Sequence, residues 1–404
     1  MPVDDIVLCA LAQKGLTAAM EVRLYFKQKG QDPMSISKQG YLKQRKRLNP
    51  EVFSYLNREY LADFYASDEP QLWEGRLVLA IDGSKAEVPN SEENCETFGK
   101  CGNGRSEGQP RALVSGMYDA LNGFFPDIQI GRTDDSEIEL AKKNILAFRE
   151  IAPDIPLLAV FDRGYPSIEL IGFLEEQGVD YLVRLSSGDY IAEREAMASD
   201  DEHVELSCTG ARLRKVKSRH PDAAERLRQK GCIRTRILNC ALPSGKVLTL
   251  MTSLSTAHSA EELAGLYSKR WGIEAKYNTL KNKLKLECVT GKASIYVYQD
   301  FCAQVLVYNM INDVRRAADA GLKDKASAKN YKNPVSVNEN MAIGLFKEDL
   351  IRLMLVKDAG ERKAMLLRLQ ESMERYFLPV RECKGSPRRH NATNKYKNNL
   401  KRSF

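Results

Sequence analysis

From Leu77 onward the texture of the chain changes from helical to strand-like. Leu77 to Ile81 is continuously apolar, as expected of a strand covered on both faces, and Pro156 to Phe161 has the same character. Arg111 to Asp119 and Phe124 to Ile130 flank Asn122-Gly123, a hairpin-turn pair. Ser136 opens an amphipathic helix through Phe148. Ser167 to Gln177 reads as a helix closed by Gly178, and Tyr181 to Leu185 as a further strand. Between Asn90 and Pro110 the chain is rich in Gly, Asn and Glu and reads as a loop. Ahead of this, the stretch to about Ser67 is helical and polar. Leu48, Val52, Phe53, Leu56, Tyr60, Leu61 and Phe64 recur there at helical spacing, behind a basic cluster of Lys43, Arg45, Lys46 and Arg47. That cluster fits either the solvated face of a small bundle or a DNA-docking module.

The order strand, strand, strand, helix, strand, helix, strand is that of a ribonuclease H-like mixed-sheet core, an α/β fold. In such a core the first and fourth strands lie side by side and parallel, and open α/β sheets commonly bind ligands just outside strand ends. Residues 71–185 and 255–320 are expected to form it. Residues 186–254 interrupt it, first polar and then strand-like from Cys232 to Leu242 and from Val247 to Ser253 around Pro243-Ser244-Gly245. They read as a β-rich insertion, which Arg212, Arg214, Lys215, Lys217 and Arg219 would let contact DNA. Residues 1–70 form an N-terminal helical region, expected to bind DNA ends. Beyond the apolar helical run from Ile295 to Val314, Gly321 to Asn340 reads as a polar linker and Met341 to Tyr376 as helix. Residues 321–404 are therefore a C-terminal helical region with a basic tail.

At 404 residues the chain can bury a large core. No apolar run is long enough to span a bilayer, and Asp4 and Asp5 stand where a signal peptide needs basic residues. A cytoplasmic location without a membrane partner is expected. A net charge of +7 is a modest bias toward nucleic acid. Its distribution says more, since from Arg381 onward eight Lys and Arg face one acid, Glu382. Such an arm serves nucleic-acid binding or is simply solvated. Nine cysteines without a CxxC pair and four histidines without ligand spacing argue against a disulfide framework and a zinc site.

The chemistry centres on acids. Asp82 and Asp162 each follow an apolar strand. Ser259 with Glu262 three residues later is a capping box, which starts a helical pattern running to about Leu286. With Tyr267 at zero and about 100° per residue, Arg270, Glu274 and Lys281 fall at about −60°, −20° and −40°. Leu266, Ile273, Tyr277, Leu280 and Leu284 fall between about −80° and −140°, an adjoining core-facing stripe. Seen alone, Arg270 and Glu274 would be an ordinary i,i+4 surface ion pair. Three carboxylates from separate segments, however, suit hard divalent cations, which prefer oxygen ligands. Asp134, Asp135 and Glu137 precede or open a helix and read as its cap and dipole partners.

Three motifs together resemble a bacterial DDE transposase of the insertion-sequence-four type. They are Asp82-Gly83-Ser84, Asp162-Arg163-Gly164-Tyr165, and a Tyr-x2-Arg-x3-Glu-x6-Lys signature met by Tyr267, Arg270, Glu274 and Lys281. The similarity extends from the Gln44-Arg45 region to the tail. It implies that Asp82, Asp162 and Glu274 bind two Mg²⁺ or Mn²⁺ ions, and that Tyr267, Arg270 and Lys281 hold DNA phosphates near the cut. It further implies cut-and-paste transposition, with hydrolysis at the element ends and then strand transfer by the freed 3′-hydroxyl. The partner would be double-stranded DNA, both terminal inverted repeats and target, bound by a homodimer at the bacterial nucleoid. Related enzymes hold a flipped base on an aromatic residue of the insertion, a part that would fall to Tyr190. Two rival readings share the core: a domesticated, non-catalytic DNA-binding protein, and a host nuclease.

Overall fold

The computed structural model describes residues 1–67, 69–102, 108–242, 245–328 and 333–380. The basic tail and Pro243-Ser244 lie outside the described residues. The chain divides into two compact units, Met1–Asn57 with Lys85–Ala112 and Tyr277–Phe404, and Arg58–Ser84 with Leu113–Lys276. No helix among the described residues is long and apolar enough to cross a membrane.

In chain order the strands are β1 (Leu77–Glu87), β2 (Lys100–Cys101), β3 (Gln109–Asp119), β4 (Asp127–Gly131), β5 (Leu157–Phe161), β6 (Asp180–Arg184), β7 (Asp201–Ser207), β8 (Cys232–Ala241) and β9 (Val247–Thr252). In the second unit they run β4-β3-β1-β5-β6-β9-β8-β7. β3 and β4 form an antiparallel hairpin, with Gly123 at φ +82° in the turn, a conformation glycine adopts without a Cβ clash. β1, β5 and β6 are parallel. This is the ribonuclease H-like order. β9, antiparallel to β6, then carries the sheet on into β8 and β7.

Strand alternation sorts the side chains onto two faces. Leu77, Leu79, Ile81, Ala159, Phe161 and Val183 pack with Ala141, Ile145 and Phe148 of the helix Glu137–Ile151 and with Leu170, Ile171 and Leu174 of the helix Ile168–Glu176. Val78, Leu158, Val160 and Leu182 pack on the opposite face with Leu263, Leu266 and Tyr267 of the helix Ala260–Ser268. Each such burial stabilises by about 1.5–3 kcal/mol. The even-numbered face is therefore the one toward which Asp82 projects, and the odd-numbered face the one under Gly83.

Several expected elements differ. β1 does not end at Asp82 but runs on to Glu87. The stretch 90–110 holds a helix, Glu92–Phe98, whose start is fixed by the Ser91 hydroxyl accepting the Asn94 N–H. Residues 186–254 contain the helices Ile191–Glu195, Gly210–Arg219 and Pro221–Lys230 beside their strands. Leu213, Val216, Ala224 and Leu227 supply the apolar side of the latter two. In the first unit the helix Ser294–Ala328 runs through Gly321, where a linker was expected, and the strand Val335–Val337 pairs with Phe377–Pro379. Arg45, from the basic cluster, is buried there and ion-paired with Asp300, so it packs inside the unit rather than serving as a docking side chain.

The helical pattern from Ser259 is also not one helix. Ala260–Ser268 is followed by a tight turn, then by Trp271–Asn278, and Thr279–Lys283 winds as a π-helix. The turn is made by i→i−3 bonds, from Arg270 N–H to Tyr267 C=O and from Ile273 N–H to Arg270 C=O. Over-winding at the turn and under-winding in the π-segment break the uniform 100° advance. Leu266, Ile273, Tyr277, Leu280 and Leu284 are nevertheless all buried.

Candidate active site

Asp82 and Asp162 come from neighbouring parallel strands. The register pairs Leu79 with Ala159 and Ala80 with Val160. Continued by two residues, it sets Asp82 opposite Asp162, on strands spaced about 4.8 Å apart. Each aspartate is braced by a backbone N–H that its own motif provides. Gly83 donates to Asp82 Oδ1 at 3.0 Å and Gly164 to Asp162 Oδ1 at 2.7 Å.

The third acid arrives from the helix that covers the even-numbered face. Ser259 caps that helix by accepting the Glu262 N–H at 3.2 Å. Leu263, Leu266 and Tyr267 fix it against the sheet. The turn after Ser268 then carries Arg270 inward, to 2% exposure. Its Nη2 donates to Glu274 Oε1 at 3.0 Å, and its Nη1 lies 3.6 Å from Asp82 Oδ2. Its guanidinium sits 4.9 Å from the Trp271 ring centre and 5.7 Å from that of Tyr267. Arg270 Nε and Nη1 are sealed from solvent with no hydrogen-bond acceptor. Arg270 thus bridges a strand carboxylate and a helix carboxylate instead of lying on an exposed stripe.

The electrostatics follow from this crowding. Burial pushes the Asp82 carboxyl up to about 6; Arg270 opposes the rise and the nearby Asp162 adds to it. An Asp held beside another acid in a partly buried place is relieved by a divalent cation, and the donor set is all oxygen. The residues fit such an ion. The oxygens of Asp82, Asp162 and Glu274 do not form a cluster lying wholly within 4.8 Å. Among the described residues only Glu139, Glu169 and His220 do so. Lys142 Nζ already bonds that cluster, at 2.7 Å to Glu139 and 2.5 Å to Glu169, and supplies its counter-charge.

Lys281 belongs to the first unit. There its Nζ donates to the Lys85 carbonyl of β1 at 2.7 Å, and burial lowers its pKa while Glu287 opposes that. Tyr190, in the second unit, has its ring 5.4 Å from the Arg212 guanidinium. Asp134 and Asp135 act locally, the first on Arg132 Nε at 3.1 Å and the second on the Arg132 N–H at 2.7 Å. Glu137 does not behave as a simple dipole partner. It accepts from Tyr165 Oη at 3.1 Å and lies against Gly83. Sequence offered no signal for this, because an acid in the first turn of a helix is commonplace.

Comparison with known proteins places this geometry. The transposase InsG for insertion sequence element IS4 of Escherichia coli (strain K12) is 24% identical over 322 residues, covering 77% of this chain and 69% of that protein. A piggyBac transposase synaptic complex with hairpin DNA overlays 97% of this chain and 77% of that one, at 8% identity and a TM-score of 0.42, too loose a likeness to argue from. The transposase DDE domain family matches residues 73–310, more than half of the chain and a span that includes Asp82, Asp162, Arg270 and Glu274. The chain therefore belongs to the DDE transposase family.

Proposed function

We propose that Asp82, Asp162 and Glu274 are the catalytic carboxylates of an insertion-sequence transposase and together hold two Mg²⁺ or Mn²⁺ ions. The observation that carries this reading is the convergence of three segments on one sheet edge. Strand register sets Asp82 opposite Asp162, and Arg270 ties Asp82 to Glu274. Bound there, divalent ions supply the Lewis acidity that activates water and stabilises a departing 3′-oxygen. The chain's own residues do the rest. Asp82 and Asp162 are oriented by the Gly83 and Gly164 amides. Arg270 has N–H groups without acceptors, so it can take a phosphate oxygen while keeping its hold on Glu274. Tyr267 stacks beside that guanidinium and limits its swing. Lys281 anchors the β1 carbonyl of Lys85 and contributes the further positive charge for phosphate.

The DNA reaction that follows is cleavage at the element's inverted repeats and joining of the freed 3′-ends to target DNA, by a homodimer assembled on paired ends. Family membership and the acid geometry support this reading. The decisive assay incubates purified protein with Mg²⁺ and DNA carrying the element's own termini, scored for nicks, hairpins and joined products. Glu274→Gln and Asp82→Asn should each abolish cleavage and leave end binding within about threefold, under about 1 kcal/mol. Loss of binding in step with cleavage would give these acids a structural role. Cutting without joining would favour a nuclease on the same core.

A further inference from the structure

Gly83 and Tyr165 belong to different motifs, one beside Asp82 and the other three residues after Asp162. Both touch one side chain, that of Glu137. Tyr165 Oη donates to Glu137 Oε2 at 3.1 Å. A β-carbon built on Gly83 would lie 2.6 Å from Glu137 Cδ and 2.7 Å from Oε2, so any side chain at position 83 would displace this carboxylate. Glu137 opens the helix Glu137–Ile151, which Ala141, Ile145 and Phe148 fix to the odd-numbered face. Asp82 and Glu274 approach the end of β1 from the even-numbered face, where Arg270 joins them. Glu137 closes on the same strand end from the other side. A helix-start acid with only a dipole role would need neither a glycine-sized gap beneath it nor a tyrosine to aim it. A second feature points to a ligand at this edge. Arg270 is almost wholly buried and paired with Asp82, yet keeps N–H groups without acceptors.

We propose that Glu137 is a fourth carboxylate of the cation site, a positioning residue that holds water in the outer shell of the ions bound by Asp82 and Asp162. This rests on the reading of those two aspartates as metal ligands. Gly83 is then small to admit Glu137, and Tyr165 is present to orient it. Outer-shell partners are worth a substantial share of metal affinity.

The test measures Mn²⁺ affinity of the full chain from the free-ion electron paramagnetic resonance signal, with melting in chelator as the control for folding. Glu137→Gln should weaken Mn²⁺ binding about tenfold or more. Gly83→Ala should weaken it in the same direction by evicting Glu137, and Tyr165→Phe by a smaller factor. The Mg²⁺ concentration for half-maximal cleavage should rise in Glu137→Gln, with cleavage regained at high Mg²⁺. An affinity for Glu137→Gln within about twofold of the parent, while Asp82→Asn loses binding, overturns the proposal and leaves the reading of Asp82 intact. If Asp82→Asn also keeps its affinity, the reading of the aspartates fails and this inference fails with it.

Discussion

Asp127 opens β4 with its carboxylate buried, accepting from Asn144 Nδ2 at 2.8 Å and Gln129 Nε2 at 2.7 Å. Burial outweighs both hydrogen bonds and pushes its carboxyl up to about 6. The folded state therefore binds this proton more tightly than the unfolded chain, whose Asp titrates near the model value of 3.8. The stabilisation is complete below about pH 4 and is lost as pH rises through about 6, a change on the order of 2–3 kcal/mol. Melting temperature measured from pH 4 to 7 should fall across that window, and Asp127→Asn should remove most of the fall. A profile unchanged by the substitution would assign the slope to other groups. Residues also differ in how far sequence could place them. Asp82 and Asp162 each follow a continuous apolar run, so their parity on adjacent strands could be counted. Arg270 could not be placed the same way. A uniform helix puts it on a border stripe, and only the i→i−3 turn brings it inside. Glu137 was equally hidden, because what gives it meaning is Gly83, 54 positions earlier.

At the scale of elements, the helix Ala260–Ser268 sets where Arg270 and Glu274 arrive, and its start depends on one hydroxyl. Ser259→Ala should cost about 1 kcal/mol, read as a lower urea midpoint with an unchanged slope. A neutral result would mean that packing of Leu263 and Leu266 alone fixes this helix. The same cap was plain in sequence because Ser259 and Glu262 are local to each other. The parallel strands were plain for a related reason, since burial on both faces leaves an unbroken apolar run. Elements with mixed composition were not. Residues 210–230 are dense in Lys and Arg, and only the sparse spacing of Leu213, Val216, Ala224 and Leu227 marks the helices there. The helix Ser294–Ala328 outruns its apolar part, so its polar end resembled a linker. Glu92–Phe98 was masked by the glycines and asparagines around it.

For the molecule as a whole, the two units each carry their own interior, and in the second unit that interior is continuous from the hairpin strands to β8. Nothing in that packing involves a cation. The strand-end acids are instead balanced from within by Arg270, which is held on the faces of two aromatic rings. Small metal-dependent folds behave differently, since their ligands repel or stay unsatisfied until the ion arrives. Here chelator should leave the melting temperature unchanged, while saturating Mn²⁺ should raise it by mass action on the native state. A melt that drops in chelator would show the fold leaning on the ion. Arg270 thus serves as a built-in counter-ion. It separates maturation of the polypeptide from arming of its chemistry, so the chain can reach its final shape in cation-poor surroundings and be switched on afterwards.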